Sequence, residues 1–192
     1  IIECHIAVMN TKIAPVIDLY ELKGQLQYQG EAVTQIKHAW QCGQLAKSQG
    51  ASQQLQLAAW LHDIGHLLSK LEGSPTISGK DDRHEIIGSK YLSSIFPETV
   101  YKSIELHVDA KRFLVSTEPE YRDQLSVDSI RSLQLQGGIM TKDECHNFLS
   151  KPYAAESIQL RRWDDLGKKS DCKMPELDEV IYELEELALG SA

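Results

Sequence analysis

Apolar residues recur along most of this chain at steps of three and four. In residues 31–48 (EAVTQIKHAWQCGQLAKS), Val33, Ile36, Trp40 and Gly43 fall on one stripe, the spacing of a half-buried α-helix. Glu31, Gln35, His38 and Cys42 share another face, which sets Glu31 two turns from His38 on one side. Gly50 closes this helix, and Ser52 caps the next, which the pattern carries through Leu68. The segment EGSPTISGKDD (72–82) is a loop by composition. Further helices are predicted over 83–95, 98–114 (after Pro97), 126–136 (ended by Gly137 and Gly138), 141–149, 153–166 and 176–189. Residues 115–125 read as a loop or a short helical turn around Pro119. No βαβ alternation, no long stretch of period two and no repeat occurs, so the expected fold class is all-α.

Composition narrows the partners more than the fold. A length of 192 residues suits one domain with a real core. The expected domain is 15–190, preceded by an N-terminal extension, 1–14, that is given no functional weight. Met9-Asn10-Thr11-Lys12 resembles a natural start, so residues 1–8 are of doubtful relevance. A formal charge of -8 argues against nucleic acid or an anionic membrane as partner, although a local Lys/Arg cluster can still hold a small anion. The four cysteines form no CxxC pair, which makes reduced thiols in the cytoplasm the expectation. No apolar run reaches the roughly 20 residues of a membrane span. A monomer is the default.

Chemistry enters with the seven histidines. His5 lies in the doubtful terminus and His146 on a polar helix; the other five sit beside apolar residues on four predicted helices. Any one of them alone is more often a hydrogen-bonded core residue than a ligand. His62-Asp63 is different, because two ionisable groups in the apolar run WLHDIGHLL (60–68) lose hydration and require compensation by a hydrogen bond, an ion pair or a metal ion. Asp164 supplies a further carboxylate on an otherwise apolar helix.

The order His38, His62-Asp63, Asp164 resembles the HD-domain superfamily of metal-dependent phosphohydrolases. The segments YQGEAVTQIKH (28–38), LHDIGH (61–66), RHEIIGSKYL (83–92), HVDAKRFLVS (107–116), the stretch from Leu125 to the Gln136-Gly138 turn, and RRWDDLGK (161–168) resemble a narrower group. That group is the mixed-valent di-iron oxygenases of the superfamily, relatives of myo-inositol oxygenase, and within it the PhnZ-type and TmpB-type phosphonate dioxygenases. The resemblance covers roughly residues 15–180. It implies a single-domain helical bundle with a metal site at its centre, holding two irons, Fe(II)/Fe(III). One iron would be held by His38, His62, Asp63 and Asp164, the other by Asp63, His84 and His107, with Asp63 bridging. His66, Lys111, Ser129, Gln136 and Arg161 resemble the phosphonate-binding set, His66 and Lys111 lying close enough to the reaction to count as catalytic with His62 and Asp63. Tyr28 and Glu31 resemble a lid pair, Glu31 facing a substrate ammonium. The implied reaction uses O2 to cleave the C–P bond of a 2-amino-1-hydroxyethylphosphonate-type substrate into glycine and phosphate.

Two alternatives remain open on the residues alone. One is an HD-type phosphohydrolase acting on a small phosphoester through the same metal ligands. The other is a non-catalytic module that kept the fold, against which the complete ligand set argues.

Overall fold

The computed structural model describes residues 2–28, 30–69 and 77–191, with side chains from Thr11 onward. Among these residues the chain forms ten α-helices: α1 (Ile2–Lys23), α2 (Gln35–Ser48), α3 (Gln53–Leu61), α4 (Ile64–Leu68), α5 (His84–Leu92), α6 (Glu98–Thr117), α7 (Val127–Leu135), α8 (Lys142–Leu149), α9 (Ala154–Leu166) and α10 (Leu177–Ser191). A 3-10 turn, Arg122–Gln124, precedes α7. An isolated antiparallel bridge between Gln27 and Thr34 is the one piece of β-pairing among the described residues. The fold is therefore all-α, as the periodicity predicts.

Local chemistry explains most helix starts. The hydroxyls of Thr34, Ser52 and Ser126 each accept an N–H from the first turn of α2, α3 and α7. Thr141 and Glu144 form a reciprocal capping box on α8. Helix α6 runs through the middle, packed on α9, α5 and α3, while α2 lies on α3 and α9. The main core gathers Ile36, Leu57, Trp60, Leu61, Ile64, Ile104, Leu160 and Trp163. Helix α1 packs on α10 and α4 and is not anticipated by the hydropathy pattern; Ile13 and Tyr20 are buried, so the core reaches back to residue 13.

Two predicted helices are corrected. The helix expected over 31–48 begins at Gln35, because Tyr28 N–H bonds to Val33 O and Thr34 caps the first turn, which leaves residues 30–34 ahead of the helix. Glu31 therefore stands on a loop, not on the His38 face of a helix. The helix expected from Ser52 to Leu68 is broken: α3 ends at Leu61, and Asp63 leaves the helical region at φ -102, ψ 10 before α4 begins. Helix α4 turns so that Gly65 lies flat on the start of α5. A Cβ on Gly65 would stand 2.0 Å from the His84 carbonyl oxygen. Gly65→Ala is expected to force α4 and α5 apart, costing about 1–3 kcal/mol of stability and weakening metal uptake through His84. Urea unfolding and metal content of the variant check both effects.

Candidate metal centre

The break between α3 and α4 is what aims His62 and Asp63 at one point. His62 closes α3, Asp63 opens α4, and His38 comes from α2, His84 from α5, His107 from α6 and Asp164 from α9. All six are buried. They form two adjoining clusters, His38–His62–Asp63–Asp164 and Asp63–His84–His107.

In the first, His38 Nε2 stands 3.3 Å from His62 Nε2, 3.6 Å from Asp63 Oδ2 and 3.4 Å from Asp164 Oδ1. In the second, His84 Nε2 stands 3.2 Å from His107 Nε2 and 3.3 Å from Asp63 Oδ1. Donor atoms each about 2.1 Å from one ion stand about 3.0–3.4 Å apart, so these separations suit two metal sites sharing Asp63.

The far side of each ring settles its orientation. His38 Nδ1 donates to Gly167 O at 3.0 Å, His62 Nδ1 to Ala59 O at 2.9 Å, and His107 Nδ1 to Ile104 O at 2.7 Å. Each imidazole thus presents its Nε2, not its Nδ1, to the centre. Asp63 Oδ2 and Asp164 Oδ1 are buried without a hydrogen-bond partner. Burial opposes the charge on Asp63, yet the His62 and His66 imidazoles hold its carboxyl well below the usual carboxylate range. Buried carboxylate oxygens without hydrogen-bond partners, converging with imidazole nitrogens, form a donor set that a metal cation would satisfy. Imidazole and carboxylate donors fit iron, manganese or zinc.

Above the clusters lies a cavity of about 40 Å³ lined by Tyr28, Glu31, His66, Lys111, Ser129, Gln136, Arg161 and Lys168. Every residue expected in the substrate shell is on this wall. Tyr28 stacks on His38 with ring centroids 4.1 Å apart. Lys111 Nζ donates to Ser132 Oγ at 2.7 Å and Gln136 Oε1 at 2.5 Å. Burial, with the Arg161 guanidinium next in effect, pushes the Lys111 amine down to about 7. Arg161 Nη1 grips Asp164 Oδ2 at 2.7 Å, its Nε and Nη2 engage Asp165, and Nη2 also reaches Ser129 Oγ at 3.3 Å.

Two residues escape the sequence reading. Lys168, one turn after Asp164, donates to Ser129 Oγ at 3.3 Å and lies 3.4 Å from Asp164 Oδ1 and 4.0 Å from Glu31 Oε1. The same four-residue spacing that marks Lys111 after His107 marks it too. Asp82, two residues before His84, binds both His66 and His84.

An all-α bundle that draws histidines and aspartates from six helix positions onto two adjoining clusters, beneath a cavity lined by Lys111, Arg161 and Lys168, has the donor set of a metal-dependent enzyme. The HD domain family model matches residues 36–131. Hydroxymethylphosphonate dioxygenase of Gimesia maris is 39% identical over 175 residues, covering 91% of this chain and 87% of the relative. The glycine-betaine-forming [1-hydroxy-2-(trimethylamino)ethyl]phosphonate dioxygenase of Leisingera caerulea is 36% identical over 159 residues, covering 82% of this chain and 81% of the relative. The chain belongs to the HD-domain family, in the branch that holds these dioxygenases. No helix among the described residues is long and apolar enough to cross a membrane.

Proposed function

We propose that the protein is a cytoplasmic, monomeric di-iron dioxygenase that cleaves the C–P bond of a 1-hydroxyphosphonate, releasing a carboxylate and phosphate. The observation that carries this reading is the pair of His/Asp clusters sharing Asp63, floored by orphaned carboxylate oxygens and roofed by Lys111, Arg161 and Lys168. His38, His62, Asp63 and Asp164 would hold one iron and Asp63, His84 and His107 the other, within a single domain whose core reaches back to Ile13. The irons, when bound, supply the O2 activation. For 2-amino-1-hydroxyethylphosphonate the balance is substrate plus O2 giving glycine plus phosphate, with no further reductant.

The side chains divide the remaining work. Lys111 and Arg161, with Ser129 and Gln136 as neutral donors, neutralise and orient the phosphonate. Glu31 Oε1 is buried without a hydrogen-bond partner and is an acceptor for a substrate ammonium, while Tyr28 covers the His38 side. Anaerobically iron-loaded protein is expected to release phosphate from 1-hydroxyphosphonates only when O2 is admitted. Release from generic phosphoesters without O2 would favour the phosphohydrolase reading.

The Lys111 amine gives this reading a pH signature. Below about 7 it is charged in the free protein; above 7 it must take up a proton when the phosphonate dianion binds. Once the free phosphonate is itself a dianion, its affinity is therefore expected to fall as pH rises further above 7, by up to about tenfold per unit. Calorimetric titration with methylphosphonate checks this, and Lys111→Met is expected to flatten the profile.

A further inference from the structure

The loop entering α5 carries a carboxylate with two imidazole partners. Asp82 Oδ2 lies 2.7 Å from His66 Nδ1, and Asp82 Oδ1 lies 3.1 Å from His84 Nδ1. The two rings stack with centroids 4.0 Å apart and planes 27° from parallel, so one carboxylate spans the edges of both. The backbone is shaped for this contact. Arg83, between Asp82 and His84, sits in the left-handed region at φ 51, with its N–H on Asp81 Oδ1 at 3.2 Å. A non-glycine residue there costs roughly 1 kcal/mol and persists where surrounding contacts over-determine it.

An ionised carboxylate only accepts, so both rings must turn an N–H toward Asp82. We propose that Asp82 is a positioning residue that fixes the tautomers of two histidines with different tasks. For His84 the consequence is a bare Nε2 directed at Asp63 Oδ1 and His107 Nε2, 3.3 and 3.2 Å away. For His66 it is a proton-free Nε2 on the cavity wall, 3.8 Å from Asp63 Oδ1. His66 is then an acceptor suited to the hydrogen of a substrate's C1 hydroxyl, and is no donor to a phosphonate oxygen. The assignment of metal and substrate rests on the function proposed above; the tautomers do not.

The test reads the tautomers directly, by long-range 15N–1H NMR of histidine-labelled protein loaded with diamagnetic zinc. In the wild-type protein His66 and His84 are both expected to carry the proton on Nδ1. In Asp82→Asn the amide has one accepting oxygen. With His84 Nε2 held by metal, its Nδ1–H takes that oxygen, and the amide N–H donates to His66 Nδ1. His66 is therefore expected to switch to the Nε2–H form. Asp82→Ala, which removes both acceptors, is expected to weaken zinc binding about 10–100-fold. Wild-type protein with His66 protonated on Nε2 would overturn the proposal without any variant. So would Asp82→Asn with an unchanged His66. Correct tautomers in a protein that cleaves no phosphonate would overturn the proposed function and leave the role of Asp82 standing.

Discussion

Asp63→Asn is expected to abolish both metal sites while leaving the bundle folded. Asp63 is the one side chain shared by the two clusters among the described residues, with Oδ2 toward His38 and His62 and Oδ1 toward His84 and His107. The substitution removes a charge and turns one acceptor into an N–H donor that faces imidazole lone pairs. Loss of an outer partner of a metal ligand costs 10–100-fold; loss of a shared ligand is expected to exceed that, leaving activity below about 1%. Asp164→Asn should be milder, because the Asp63–His84–His107 cluster does not include it. Metal content measured beside circular dichroism checks the contrast: iron falling from two per chain to less than one for Asp63→Asn, with the helical signal retained.

Arg161→Met is expected to give the largest loss of stability. The guanidinium is buried and holds two carboxylates, Asp164 at 2.7 Å and Asp165 through its Nε and Nη2. It also meets Tyr121 Oη at 3.2 Å and Ser129 Oγ at 3.3 Å. Burial opposes charge on Asp164, and Arg161 with Lys168 is what keeps its carboxyl well below the ordinary range. Removing the arginine strands buried negative charge, a loss of about 3–5 kcal/mol. Arg161→Lys keeps the charge but cannot fork across Asp164 and Asp165, so its loss should be intermediate. Urea unfolding of the metal-free proteins measures both variants. The same substitutions should weaken methylphosphonate binding, since Arg161 also lines the cavity.

How far the chain could be read depended on whether its helices stayed regular. On α6 and α9 they do: Lys111, four residues after His107, and Arg161, three before Asp164, each stand one turn from their partner on the same side of the helix. The helix expected to run unbroken through Leu68, which would set His66 one turn from His62 on a single face, is instead two helices with a break at His62 and Asp63. Residues 57–65 are all buried, so their apolar run has no polar face to reveal the break at Asp63. The cause is tertiary: Gly65 must lie against the His84 carbonyl, a contact with no local signal. Glu31 reached its expected wall by another route, a turn pinned by the Tyr28–Val33 hydrogen bond in place of a helix. Asp82 was hidden by its surroundings, since Lys-Asp-Asp-Arg at 80–83 reads as a solvated charge run until the fold closes His66 and His84 over it. Helix α1 carries an internal proline, Pro15, and little segregation of apolar from polar positions, which is why periodicity passes over it.

The central claim is that the metal pair spends O2 on a C–P bond. The most direct measurement follows O2 uptake, phosphate and glycine together in anaerobically iron-loaded protein mixed with (R)-2-amino-1-hydroxyethylphosphonate and oxygenated buffer. One O2 consumed for each phosphate and each glycine is the predicted result. Phosphate released without O2 uptake, or O2 consumed by an iron-replete enzyme with the C–P bond intact, would contradict it.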